Sequence, residues 1–209
     1  MRPERLTALT DGVIAVIITI MVLEMKAPHD TDLAALAAVW PVFLSYVLSF
    51  IYVAIYWNNH HHFFHLVKRV NGAVLWANLH LLFWLSLIPF TTAWMGEHAF
   101  AAVPTAAYGV SLLTCALGWY LMQSVIVRSQ GADSALRQAI GRDLKGKASP
   151  LLYVAGIGLA FVVPVVSDLI YAGVALLWLV PDRRVEARLA APEGSDDTPP
   201  GVASADGAS

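Results

Sequence analysis

Three groups of residues in this chain could do chemistry. The first is Asp11, one turn inside an otherwise apolar run through Val13-Ile14-Ala15-Val16-Ile17-Ile18-Thr19-Ile20-Met21-Val22-Leu23, with Arg5 ahead of it. An ionisable group in hydrocarbon is costly and faces protein or water, so it marks a functional or assembly site. The second is His60-His61-His62-Phe63-Phe64-His65, in which His61 and His65 are spaced to share a helix face. A zinc site takes three or four ligands, and only His80 and the loop residues His29 or His98 could join these two. A membrane di-iron enzyme would need several such histidine boxes, and the chain has one. The expectation is therefore a histidine cluster at the inner membrane edge, with no metal and no catalytic residue. The third is Cys115, the single cysteine, which cannot form an intrachain disulfide and belongs to no redox motif.

The elements that position these groups are apolar. Of 209 residues, 58% are hydrophobic and 13% charged, where a soluble domain carries about 25% charge. The chain reads as an integral membrane protein, and its net charge of −2 gives no attraction to nucleic acid. The leading apolar segment contains Asp11 and no small-residue cleavage site, so it reads as a permanent first span rather than a secretory signal. A spanning helix needs about 20 apolar residues. Such helices are expected over 6–25, 36–57, 72–93 and 103–127. The next apolar stretch is interrupted by Pro164, Ser167 and Asp168, a turn signal. It predicts two shorter helices near 150–163 and 168–180, with flanking lysines and arginines reaching to the interface.

Six spans with both termini inside place Arg2, Arg5, Lys68, Arg69, Arg128, Arg137, Arg142, Lys145, Lys147, Arg183, Arg184 and Arg188 on the inner side, leaving only Lys26 outside. That is the bias the positive-inside rule requires. Residues 1–190 thus form one six-helix membrane domain. Residues 191–209, rich in Pro, Gly, Ser and Asp, are expected to be a disordered tail.

Successive helix residues turn by about 100°, which puts Gly12, Val16, Thr19, Ile20 and Leu23 on one stripe and Asp11 well away from its centre. Copies of this helix around an axis, stripe inward, would make apolar rings of Val16, Ile20 and Leu23 with a hydroxyl layer at Thr19. Apolar rings stop ions by dewetting, and a hydroxyl replaces part of an ion's hydration. The competing reading is a helix whose apolar residues merely pack, as in most membrane bundles.

Three segments together resemble the transmembrane-protein-175 family of endolysosomal and prokaryotic potassium channels. That family carries Arg, three residues, then Phe-Ser-Asp at the start of its first helix; here Arg5 precedes Leu9-Thr10-Asp11. Trp57-Asn58-Asn59-His60-His61 with Phe64 resembles the family's Trp-x-x-His-His stretch. Asn78-Leu79 followed by Pro89-Phe90 resembles a third segment. The resemblance implies an all-α homotetramer of six-helix subunits with helix one lining a central pore. It puts the constriction at Val16, Ile20 and Leu23, and Thr19 at the layer linked to potassium preference. It further implies a structural polar network drawn from Arg5, Thr10, Asp11, His60, His61 and Asn78, which locks helix one against helices two and three. The permeant species is potassium, with no cofactor, and the partners are further copies of the chain and membrane lipid. Localisation in a bacterial inner membrane follows from the single-repeat form. The alternative is a proton- or cation-coupled secondary transporter using Asp11, although no pair of broken helices stands in matching positions.

Overall fold

The computed structural model describes residues 3–130 and 144–179, all of whose regular elements are helical. They are α1 (Pro3–Leu23), α2 (Leu33–Ala38), α3 (Trp40–His65), α4 (Gly72–Leu85), α5 (Ile88–Glu97), α6 (Ala102–Gln130), α7 (Leu144–Leu159) and α8 (Pro164–Leu179). Four stretches are long and apolar enough to cross a membrane: α1, α3, α6, and α4 with α5 taken together over Gly72–Glu97. At 16 residues each, α7 and α8 reach about 24 Å, against a hydrocarbon core of about 30 Å. The proposed tail at 191–209 lies outside the described residues.

Three sequence expectations need correction. The third span is not one helix over 72–93. It breaks after Leu85 and resumes at Ile88, running on to Glu97. Pro89 has no N–H to donate back to Leu85, which removes a helical hydrogen bond and forces the bend. Ser86 closes the end of α4 by donating to the Phe83 carbonyl at 2.7 Å. The second span likewise starts later and ends later than 36–57. A short α2, N-capped by Asp32 accepting from the Ala35 N–H at 2.7 Å, precedes it, and Pro41 opens α3.

The last reversal also falls earlier than the sequence implied. The chain turns over 160–163, and Pro164 begins α8, where its missing N–H has no helical partner to lose. Ser167 then ties α8 to α7 by donating to the Gly156 carbonyl at 2.7 Å.

Helix α6 is the central post, packed on α4 and α5 on one side and on α7 and α8 on the other. Its Gly109, with Gly156 of α7, makes room for the Tyr171 ring of α8; a Cβ at either position would collide with that ring. A buried layer of hydroxyls crosses the middle, where Ser49 of α3 shares hydrogen bonds with Thr92 of α5 at 2.6 Å and Tyr108 of α6 at 3.0 Å. Helix α1 lies to one side of this assembly, against α3, α4 and α5.

Candidate functional site

The features that carry chemistry gather on and behind α1. Leu6, Thr10, Ile14, Ile17 and Met21 are its buried residues. Their spacings of three and four residues are those of a single helix face, and that face is the one laid against α3, α4 and α5.

Within the apolar seam lies one polar chain. His60 of α3 lies 3.0 Å through Nε2 from Asn78 Oδ1 of α4. The Asn78 amide donates to Thr10 Oγ1 of α1 at 3.0 Å. Thr10 Oγ1 donates to its own helix at the Leu6 carbonyl, 3.1 Å away. Because Asn78 spends its N–H on Thr10, its oxygen faces His60, which fixes His60 Nε2 as the protonated nitrogen. All three side chains are buried, so each bond replaces solvation that none of them has. The His60 ring also stacks on Phe64, with centroids 4.2 Å apart. Three helices are thereby locked at one level.

Asp11 does not join this chain. It lies on the exposed side of α1, where its Oδ1 accepts from the Trp57 indole Nε1–H of α3 at 2.9 Å. Trp57 is thus a polar contact of α1 absent from the expected network. The signal for it was present, since an indole N–H at the end of a span needs an acceptor. His61 backs Trp57, ring stacked at 5.8 Å, and pairs with His65 through Nε2 atoms 3.0 Å apart. Arg5 is exposed. Of the six expected network residues, Thr10, His60 and Asn78 form one buried cluster, Asp11 and His61 both meet Trp57, one at its indole N–H and the other by ring stacking, and Arg5 stands apart from both.

The other face of α1 is uncovered in the chain. Val16 is 55% exposed, Ile20 40% and Leu23 77%, and Thr19 and Gly12 are exposed with them. The Thr19 hydroxyl donates to the Val16 carbonyl at 2.9 Å, so its outward lone pairs remain available as acceptors. Beside this face runs an open groove of about 640 Å³ between α1 and α5, lined by Leu9, Gly12, Val16, Ile20, Pro89 and Phe90 among others. Phe90, in the first turn of α5 just past the break at Ser86 and Leu87, is 65% exposed. At the far end, Lys26 and Glu97 pair at 3.7 Å on the surface. Among the described residues no group of three or more His, Cys, Asp or Glu is placed to hold a metal. What the geometry provides is a braced helix with a bare apolar and hydroxyl face, rather than a nucleophile with its base.

The chain is similar to known proteins over most of its length. The family model described as endosomal/lysosomal potassium channel TMEM175 matches residues 5–89, from Arg5 through Pro89. A potassium channel of Chryseobacterium sp. (strain P1-3) is 50% identical over 189 residues, covering 90% of this chain and 98% of the relative. A potassium channel of Streptomyces collinus is 31% identical over 171 residues, covering 76% of this chain and 82% of the relative. The crystal structure of a lysosomal potassium-selective channel TMEM175 homolog from Chamaesiphon minutus aligns with a TM-score of 0.73 at 26% identity, over 87% of this chain and 97% of that one.

Proposed function

The chain belongs to the TMEM175 family of potassium channels, and from that premise we propose that it assembles as a homotetramer conducting potassium along an axis lined by α1. The observation that carries this reading is the division of α1 into a packed face and a bare one. Leu6, Thr10, Ile14, Ile17 and Met21 are used within the subunit, while Val16, Thr19, Ile20 and Leu23 are not. In the assembly Val16, Ile20 and Leu23 form the apolar constriction, and Thr19 supplies a ring of acceptor oxygens beside it. Where the resemblance implies Ile or Leu, Val16 is smaller and widens its ring. The groove between α1 and α5 seats the neighbouring subunit. The Thr10–Asn78–His60 chain and the Asp11–Trp57 bond brace α1 from behind and beside.

The chain is an integral membrane protein. Placement in a bacterial inner membrane with both termini cytoplasmic, residues 1–190 as the channel domain and 191–209 as a tail complete the proposal. The relatives are named as channels, and the proposed activity needs no catalytic residue and no cofactor beyond the permeant ion. Purified protein in planar bilayers is expected to pass current whose reversal potential, under a potassium–sodium gradient, lies on the potassium side. A folded preparation that stays silent, or a reversal potential of zero, overturns respectively the channel and its preference.

A further inference from the structure

Arg5 is the expected network residue that the brace leaves unused. It is exposed, and among the described residues no carboxylate pairs with it; the ion pair they contain joins Lys26 to Glu97. Its register says where it belongs. Arg5 precedes Leu23 by 18 residues, which at about 100° per residue is five whole turns. It therefore stands on the line of Leu23, at the other end of the bare face. The acids nearby do not share that line. Glu4 is turned from it by about 100° and Asp11 by about 120°, and Asp11 is tied to Trp57 of α3.

The helix face between Arg5 and the first apolar ring is open. Ala8 and Gly12 stand there, both on the α1–α5 groove, and a Cβ at Gly12 would meet nothing within 4 Å. A barrier at this end of the face is therefore one of charge rather than of bulk. At about 1.5 Å per residue, Arg5 lies about 16 Å along the helix from Val16. That exceeds the screening length of about 10 Å at 0.1 M salt. The guanidinium therefore acts on ions arriving at this end and hardly on those among the apolar rings.

We propose that the Arg5 guanidiniums of the four subunits converge at the inner mouth and repel potassium entering from that side, so that the channel passes inward current more readily than outward. The proposal rests on the tetrameric channel reading above and adds a direction to it. Arginine keeps its charge at any ordinary pH, so the asymmetry is a fixed property of the mouth rather than a titratable one. A potential of about one kT at the ring lowers the local potassium concentration roughly threefold. Selectivity, set about 16 Å away or farther, stays as it is.

Two measurements test it on the full-length protein. The first reads convergence without any current. Arg5→Cys is treated with a short bismaleimide, the native Cys115 being buried. Linked chains up to the tetramer are expected, and none in the wild type; monomer alone in Arg5→Cys overturns the ring. The second reads the charge, in inside-out patches under symmetric potassium. At about 10 mM salt, where the screening length is about 30 Å, the wild type should pass less outward than inward current. Arg5→Gln should raise the outward-to-inward ratio roughly threefold, and about 1 M salt should erase the difference between the two. Arg5→Lys, which keeps the charge, should behave as wild type. An unchanged ratio in Arg5→Gln overturns the repulsion, and an Arg5→Lys ratio equal to that of Arg5→Gln overturns charge as its cause. A protein that cross-links through residue 5 but never conducts overturns the channel and leaves the ring standing.

Discussion

The two faces of α1 are built from nearly the same residue types and do opposite things. The face toward α3, α4 and α5 has Leu6, Ile14, Ile17 and Met21 around a single hydroxyl, Thr10. The bare face has Val16, Ile20 and Leu23 around a single hydroxyl, Thr19. On the packed face the hydroxyl meets an amide from another helix, Asn78 Nδ2 at 3.0 Å. On the bare face it is satisfied by its own backbone at Val16. Composition therefore does not distinguish the side that holds the helix from the side it presents; the presence or absence of a polar partner across the seam does. In a membrane, where apolar surface gains little by leaving lipid for protein, such partners and close packing are what fix a helix in place.

The largest effect should come from breaking the held face. Asn78→Leu removes the acceptor of His60 and the donor to Thr10 at once, leaving the buried His60 Nε2–H without a partner and Thr10 with only its bond to the Leu6 carbonyl. A loss of about 1–3 kcal/mol is expected, read as a lower thermal unfolding midpoint in detergent. A midpoint unchanged from wild type would mean that the seam is held by packing alone. The matching change on the bare face, Leu23→Ser, should leave that midpoint in place and instead raise single-channel or macroscopic potassium conductance roughly tenfold, about 1.4 kcal/mol off a dewetting barrier. If Leu23→Ser instead destabilises the fold and leaves conductance alone, the two faces have been assigned the wrong way round.

Most of the bare face was legible before any coordinates. The stripe through Val16, Thr19, Ile20 and Leu23 follows from helical periodicity alone. The grouping of Thr10, His60 and Asn78 came from the spacing of three short segments that resemble a known family. Two things were not legible. The break before Pro89 was missed in a span expected to be continuous over 72–93, and its extension to Glu97 depends on how α5 packs against α3 and α6, which no local pattern encodes. The partner of Asp11 was also hidden. The residues around it pointed to the buried cluster, yet Asp11 sits at a different angle on α1 from Thr10, and only the placement of α3 shows that Trp57 rather than His60 faces it. Pro164 misled in a third way, since proline reads equally as the end of one helix and the start of the next.

A smaller effect separates the hydroxyl on the bare face from its apolar neighbours. Thr19→Val keeps shape and volume but removes the outward acceptor oxygen. Potassium current should persist while the potassium-to-sodium permeability ratio falls a few-fold, on the order of 0.5–1 kcal/mol. The reversal potential under mixed-cation conditions measures it. An unchanged ratio would assign preference to ring width at Val16, Ile20 and Leu23 rather than to the hydroxyl layer.

The smallest effect tests the boundary between the two faces, where Asp11 reaches Trp57. Asp11→Asn retains a side-chain oxygen at the position that accepts from the indole at 2.9 Å, and loses only the negative charge. The exposed setting of Asp11 means that charge is partly screened, so the expected change in unfolding midpoint corresponds to no more than about 0.5 kcal/mol. Trp57→Phe removes the donor while keeping a ring for His61 to stack on, and should cost about 1 kcal/mol. The order matters more than either value. If Asp11→Asn proves as damaging as Asn78→Leu, the carboxylate is held by its charge, and the brace extends onto the bare face. If Trp57→Phe is the more damaging of the two and both stay below Asn78→Leu, the hydrogen bond is a lateral stay, and the load on α1 is carried through Thr10.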